Sequence, residues 1–195
     1  MLARRLLEGD EEAVDGFIAL IRPRIFHYAM MMCGQRDDAE EVTQDALLRI
    51  FKSFGQLREP EHVRAWAFRI AKNACHMKRR RSVFAPQEEL SLDSLMPAWR
   101  DAGDRRELEI ADWSALPEDV ASRGELNDLL NQAVSELPDI YRAVILLRDI
   151  EELSTAETAQ ILDVGEDVVK TRLHRARLSV RQKLDRHFRS VRRVA

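Results

Sequence analysis

Apolar residues recur at three- and four-residue spacing along most of the chain, a helical period and not the alternation of a strand. Residues 2–8 predict a short opening helix, and Asp10 stands where an N-cap would open the next one. That helix carries Val14, Phe17, Ile18 and Ile21 on one side. Pro23 is expected in or near its end, with an apolar run from Ile25 to Met32 continuing to Gly34. A helix over 37–54 puts Ala39, Val42, Thr43, Ala46, Leu47, Ile50 and Phe54 on a buried face. Gly55 and Pro60 bracket a loop. The helix that follows, over 62–80, is expected to bury Val63, Trp66, Ala67, Ile70, Ala74 and Met77.

The pattern lapses over 83–124, where Pro86, Pro97, Gly103, Pro117 and Gly124 interrupt an acid-rich stretch. It resumes at Glu125. Helices over 125–136 and 138–149 are separated at Leu137-Pro138, with Pro138 suited to a first turn. Two more, over 154–162 and 166–187, complete a second helical unit. The expected architecture is all-α: two small helical domains, 1–82 and 125–195, joined by an irregular acidic linker, 83–124.

Within the second unit, residues 152–177 have the pattern of a helix-turn-helix. Ser154 and Glu157 form a capping box, and Ala159 is small where two helices approach closely. Leu153, Ile161, Val164, Val169 and Leu173 pack the pair together, and Asp163 takes the left-handed turn position usually given to Gly. The second helix buries Val169, Leu173 and Ala176. Its polar positions Lys170, Thr171, Arg172, His174, Arg175 and Arg177 supply the donors that reach phosphates and base edges.

Net charge over the 195 residues is −3, the wrong sign for a nucleic-acid binder until it is divided along the chain. Residues 1–82 carry +3, 83–124 carry −6, 125–167 carry −9, and 168–195 carry +9. The basic charge is concentrated at and beyond the recognition helix, so the segregation, not the total, is informative. A second polar face, Arg69, Lys72, Asn73, His76 and Arg80, lies on the helix over 62–80, read as opposite Trp66, Ile70 and Met77. The Lys78-Arg79-Arg80-Arg81 cluster ends that helix.

Residues 37–51 resemble region 2.2 of bacterial sigma factors, residues 63–75 resemble region 2.4, and residues 152–177 resemble region 4.2. Together they resemble the extracytoplasmic-function (ECF) group of the sigma-70 family, which has only the second and fourth sigma domains. The resemblance implies promoter DNA and core RNA polymerase (β′ clamp helices and β flap) as partners, with an anti-sigma factor as inhibitor. It assigns Asp38, Glu41, Gln44, Asp45 and Arg49 to polymerase docking. Arg69, Lys72, Asn73, His76 and Arg80 would read and open the −10 element; Lys170, Thr171, Arg172, His174, Arg175 and Arg177 would read the −35 element. The linker would thread toward the polymerase cleft. Asp163 in place of Gly, Asp167-Val168 in place of Gly-Thr and Ala67-Phe68 in place of Leu-Tyr depart from the frequent family pattern.

Other function classes find less in the sequence. A self-sufficient helix-turn-helix repressor needs a dimerisation surface and a ligand or receiver domain, and neither is visible. His27, His62, His76, His174 and His187 have no metal-ligand spacing, no Gly loop cradles a phosphate, and no nucleophile–base pair is suggested. No catalytic residue, metal or cofactor is expected. Cys33 and Cys75 lack paired spacing and are read as reduced residues in or near a core. The longest apolar stretches fall far short of a bilayer span and no signal core opens the chain, so the expected location is cytoplasmic, without membrane insertion.

Overall fold

The computed structural model describes residues 5, 10–57, 59–81 and 123–192, and the described secondary structure is helical throughout. Seven helices are named here α1 (Glu11–Cys33), α2 (Arg36–Ser53), α3 (Val63–Arg81), α4 (Arg123–Ser135), α5 (Asp139–Ile145), α6 (Thr155–Leu162) and α7 (Glu166–Arg192). Short 3-10 turns, Phe54–Gln56 and Pro60–His62, join α2 to α3, and α5 widens into a π turn, Leu146–Ile150. The predicted opening helix lies outside the described residues apart from Arg5, and the linker lies outside them apart from its last two positions.

Helix α1 differs from its expected form. It starts where Asp10 accepts from the Ala13 amide at 3.2 Å, and it ends at Gly34, whose φ of 76° few other residues adopt. It runs through Pro23 without ending there. Pro23 is exposed, while Phe17, Ile21, Ile25 and Tyr28 continue one buried stripe past it. An interior proline costs about 3 kcal/mol. Each fully buried large apolar side chain returns about 1.5–3 kcal/mol, so the stripe outweighs the break.

α1, α2 and α3 pack as one bundle around Ile25, Ile50 and Phe68, all fully buried. Tyr28 meets Phe68 edge-on at 5.8 Å; its buried hydroxyl has no partner, and burial pushes the phenol well above its ordinary range. On α2 the expected face is buried at Ala39, Val42, Thr43, Ala46 and Ile50, with Leu47 half-buried. Thr43 is satisfied by donating to the Ala39 carbonyl at 2.6 Å. On α3 the face is rotated from expectation. Ala67, Phe68, Ala71, Ala74 and Cys75 face the bundle, Trp66 and Ile70 are half-buried, and Met77 is exposed.

The second bundle, α4–α7, is centred on Leu137, Val144, Leu146, Leu147, Ile161 and Val169. The two bundles also touch each other. α3 packs against α6, and α1 packs against α4 and α5.

Candidate nucleic-acid interface

The helix-turn-helix forms as its sequence predicts. Ser154 accepts from the Glu157 amide at 3.1 Å while Glu157 accepts from the Ser154 amide at 2.8 Å, closing the capping box. Asp163 takes the left-handed turn at φ 56°, and the amide at that cap bonds the Ala159 carbonyl. Leu153, Ile161, Val169, Leu173 and Ala176 are buried, and Val164 is half-buried. α7 therefore projects Lys170, Thr171, His174 and Arg175 outward as exposed residues, with Arg172 half-buried beside them. These side chains do not all point alike. Lys170 sits 3.1 Å from Asp167, and the Thr171 hydroxyl donates back to the Asp167 carbonyl at 2.8 Å. Arg177 is held differently: its guanidinium grips Asp149 with two bonds of 2.9 and 2.6 Å, tying α7 to the π turn. That grip raises the Arg177 pKa.

On α3, Arg69, Asn73 and His76 are exposed and Lys72 is half-buried; the Arg80 side chain lies outside the described residues. At about 100° per residue, Trp66, Ile70 and Met77 fall beside Asn73, not opposite it. The core lies instead at Ala67, Phe68, Ala71, Ala74 and Cys75. The polar face thus has an apolar flank, Trp66-Ile70-Met77, which the sequence reading placed inside. Trp66 packs edge-on against Phe54 at 5.6 Å, and Phe54 packs likewise on Phe17.

This face of α3 meets the second bundle at one position, where Arg69 donates to the Gln160 carbonyl of α6 at 3.3 Å. On the opposite side of the helix Arg64 donates to the Glu151 carbonyl. His62 lies 3.2 Å from Glu157, a bond that raises the His62 pKa. Burial pushes the Glu157 carboxyl up, but bonds from Ser154 and His62 outweigh it and leave the pKa lowered.

The α2 residues assigned to polymerase divide into two groups. Asp38 and Glu41 share Lys78 of α3, with 3.1 Å to Asp38, and the pairing raises the Lys78 pKa. Asp45 pairs with Arg49 at 2.9 Å on the same side. Gln44 lies on another side and lines a groove of about 870 Å³ between α1 and α2, with Ile18, Pro23, Phe26, Leu47, Leu48 and Phe51. Leu48 and Phe51 are 58% and 59% exposed, and the sequence reading missed both. The signal was present: Ala46, Leu47, Leu48, Ile50, Phe51 and Phe54 are more apolar residues than one helical face can bury.

Among the described residues no group of His, Cys, Asp and Glu could hold a metal ion, and no helix is long and apolar enough to cross a membrane.

Residues 17–83 match the family described as Sigma-70 region 2, and residues 127–180 match Sigma-70, region 4. The ECF RNA polymerase sigma factor SigW of Bacillus subtilis is 29% identical over 181 residues, 93% of this chain and 94% of that protein. SigE of Mycolicibacterium smegmatis, another ECF sigma factor, is 31% identical over 183 residues, 92% of this chain and 65% of that one. Among solved structures, CnrH in complex with the cytosolic domain of CnrY matches 94% of this chain and 95% of its own, with a TM-score of 0.61 at 22% identity. The sigma factor RpoE of Bartonella quintana, solved with the anti-sigma factor NepR, matches 88% of this chain and 96% of its own, with a TM-score of 0.59 at 19% identity.

Proposed function

The chain belongs to the ECF group of the sigma-70 family, and from that premise we propose how its residues divide the work of promoter recognition. It binds core RNA polymerase, recognises −35 and −10 elements, and promotes melting of the duplex at initiation. The −35 reader is α7, through Lys170, Thr171, His174 and Arg175 with Arg172 alongside. Arg177 supports them by holding α7 in place. The −10 reader is the α3 face of Arg69, Lys72, Asn73 and His76, continued by Arg80. Its apolar flank of Trp66, Ile70 and Met77 offers a stacking surface to an unpaired base, which couples recognition to opening. Units 1–82 and 125–195 are the two reading heads, and 83–124 is the linker between them.

Polymerase docks on α2, through Asp38, Glu41, Asp45 and Arg49 on one side and Gln44 on the other. The β flap is taken as the partner of the second head. The protein acts by binding, without a chemical step of its own, and in the cytoplasm, where polymerase and DNA are. CnrH and RpoE were solved with CnrY and with the anti-sigma factor NepR, and we assign this chain an inhibitor of the same kind.

The observation that carries this reading is the pairing of a capped helix-turn-helix bearing an exposed basic face with a second helix bearing a polar and aromatic face. Runoff transcription with core polymerase on a promoter library tests it. Initiation should depend on both the chain and a promoter; an active core that ignores the chain would reject the reading.

A further inference from the structure

The basic run that ends α3 does not act as one cluster. At about 100° per residue its first member, Lys78, stands about 140° round the helix from Asn73 and about 160° from His76, away from the polar face. It continues a seam of buried alanines, Ala67, Ala71 and Ala74, at spacings of four, three and four. Where the seam reaches Lys78, methyl groups give way to a charge. The ammonium lies 3.1 Å from Asp38 and bonds Glu41, two acids one turn apart on α2. The Lys78 side chain is 26% exposed, turned toward α2 and not toward solvent. Beside it Arg49, held by Asp45 at 2.9 Å, reaches Met77 Sδ at 4.0 Å.

Alanine methyls form low ridges, so they let two helices approach without fixing how one rolls or slides on the other. Phe68, fully buried, fixes one end of the α3 face. Lys78 lies ten residues on, about 15 Å along the axis at about 1.5 Å per residue. Arg69, Lys72, Asn73 and His76 all lie between these two points. An ammonium placed between two carboxylates is satisfied at one setting of the helices, because a roll in either direction lengthens one of the bonds.

We propose that Lys78 is a positioning residue for the −10 element: gripped by Asp38 and Glu41, it fixes the outer end of α3 so that Asn73, His76 and Met77 meet an unpaired base together, and it does not itself touch DNA. The inference rests on the −10 reading of α3 above. It gives Asp38 and Glu41 a ligand within their own bundle, and it separates Lys78 from the basic run in which it stands.

The test uses holoenzyme at saturating core polymerase. Its readout is −10 discrimination, the ratio of runoff transcript from a promoter selected by the wild type to that from the same promoter with one −10 base changed. A loss of folded protein lowers both transcripts alike and leaves this ratio where it was. Lys78→Gln should lower the ratio roughly fivefold, the scale of a partly exposed ion pair, and Lys78→Arg should keep most of it. Lys78→Glu should lower it further, and adding Glu41→Lys should recover it. The salt dependence of duplex binding should stay at the wild-type slope, because no phosphate contact is lost. A slope shallower by about one would make Lys78 a phosphate contact and overturn the proposal. An unchanged ratio in Lys78→Gln would overturn it too. Circular dichroism checks folding, and if Lys78→Glu loses helicity, Lys78→Gln and Lys78→Arg carry the test. A wild-type holoenzyme with no −10 preference would instead reject the reading of α3 on which the inference rests.

Discussion

The two helices proposed to face DNA, α7 and α3, differ in what holds them and in what touches them. α7 is fixed from within its own head, by the capping box before it, the left-handed turn at Asp163 and the Arg177–Asp149 grip. Its reading positions are exposed. α3 is fixed by its fully buried Phe68 and by alanines that let α1 and α2 approach, and one of its polar positions, Arg69, is bonded to the other head. The helix proposed to read intact duplex is held wholly within its own head. The one proposed to engage opened DNA keeps Asn73 and His76 exposed while Arg69 is shared with the other head.

Substitutions separate these two modes. The largest effect is expected at Phe68→Ala, which empties the centre of the first bundle and should cost about 3–5 kcal/mol in urea denaturation. Binding of a −35 duplex by α7 should survive it. If −35 binding were lost in step with folding of the first head, the heads would form one cooperative unit and the contrast would fail.

Arg175→Ala should weaken −35 duplex binding by about 1–3 kcal/mol if Arg175 reads a base, and relax sequence preference there. A uniform loss across sequences, with a shallower salt dependence, would instead make it a phosphate contact. Ser154→Ala removes one half of the capping box and should cost about 1 kcal/mol of stability in the second head. No change in that head's melting temperature would mean that Glu157 alone closes the turn.

The smallest effect is expected from pH. His62 is raised by its bond to Glu157, with Glu59 and Glu61 adding to it, so its contribution is complete below the ordinary histidine value of about 6.5. It fades as pH rises through the folded value. Glu151 has the same sign, through a window that opens at its ordinary 4.5: burial raises its pKa against the pull of Arg24 and Arg64. Through His62 the heads should hold together better at pH 6 than at pH 8, and scattering at the two values checks the sign. Tighter association at the higher pH would contradict it.

Local rules made much of this molecule readable from its sequence. The capping box, the Asp163 turn and the apolar spacing around Leu173 are determined within a few residues, and each takes the predicted form. Three features depend on neighbours distant in sequence. Pro23 stays helical because α2 and α3 complete the stripe on either side of it. The buried side of α3 is set by where α1 and α2 lie, which turns Phe68 inward and leaves Met77 outside. Arg24 pairs with Glu151 across 127 positions, and no local pattern announces such a bond. Leu48 and Phe51 belong to a fourth kind. Their excess apolarity was visible, but its exposure beside the α1–α2 groove was not.

The Arg177–Asp149 fork bears on how finely α7, as the proposed −35 reader, would read a promoter. With side chains extending about 5–6 Å from the helix axis, a 20° roll of α7 would carry their tips through an arc of about 2 Å. Hydrogen bonds span a range of only about half an ångström, so such a roll would break one set of base contacts and bring up another. A two-bond grip at one azimuth resists that roll. The angular setting of Lys170, Thr171, His174 and Arg175 is thus calibrated by an acid on a neighbouring turn, much as a set screw fixes a dial.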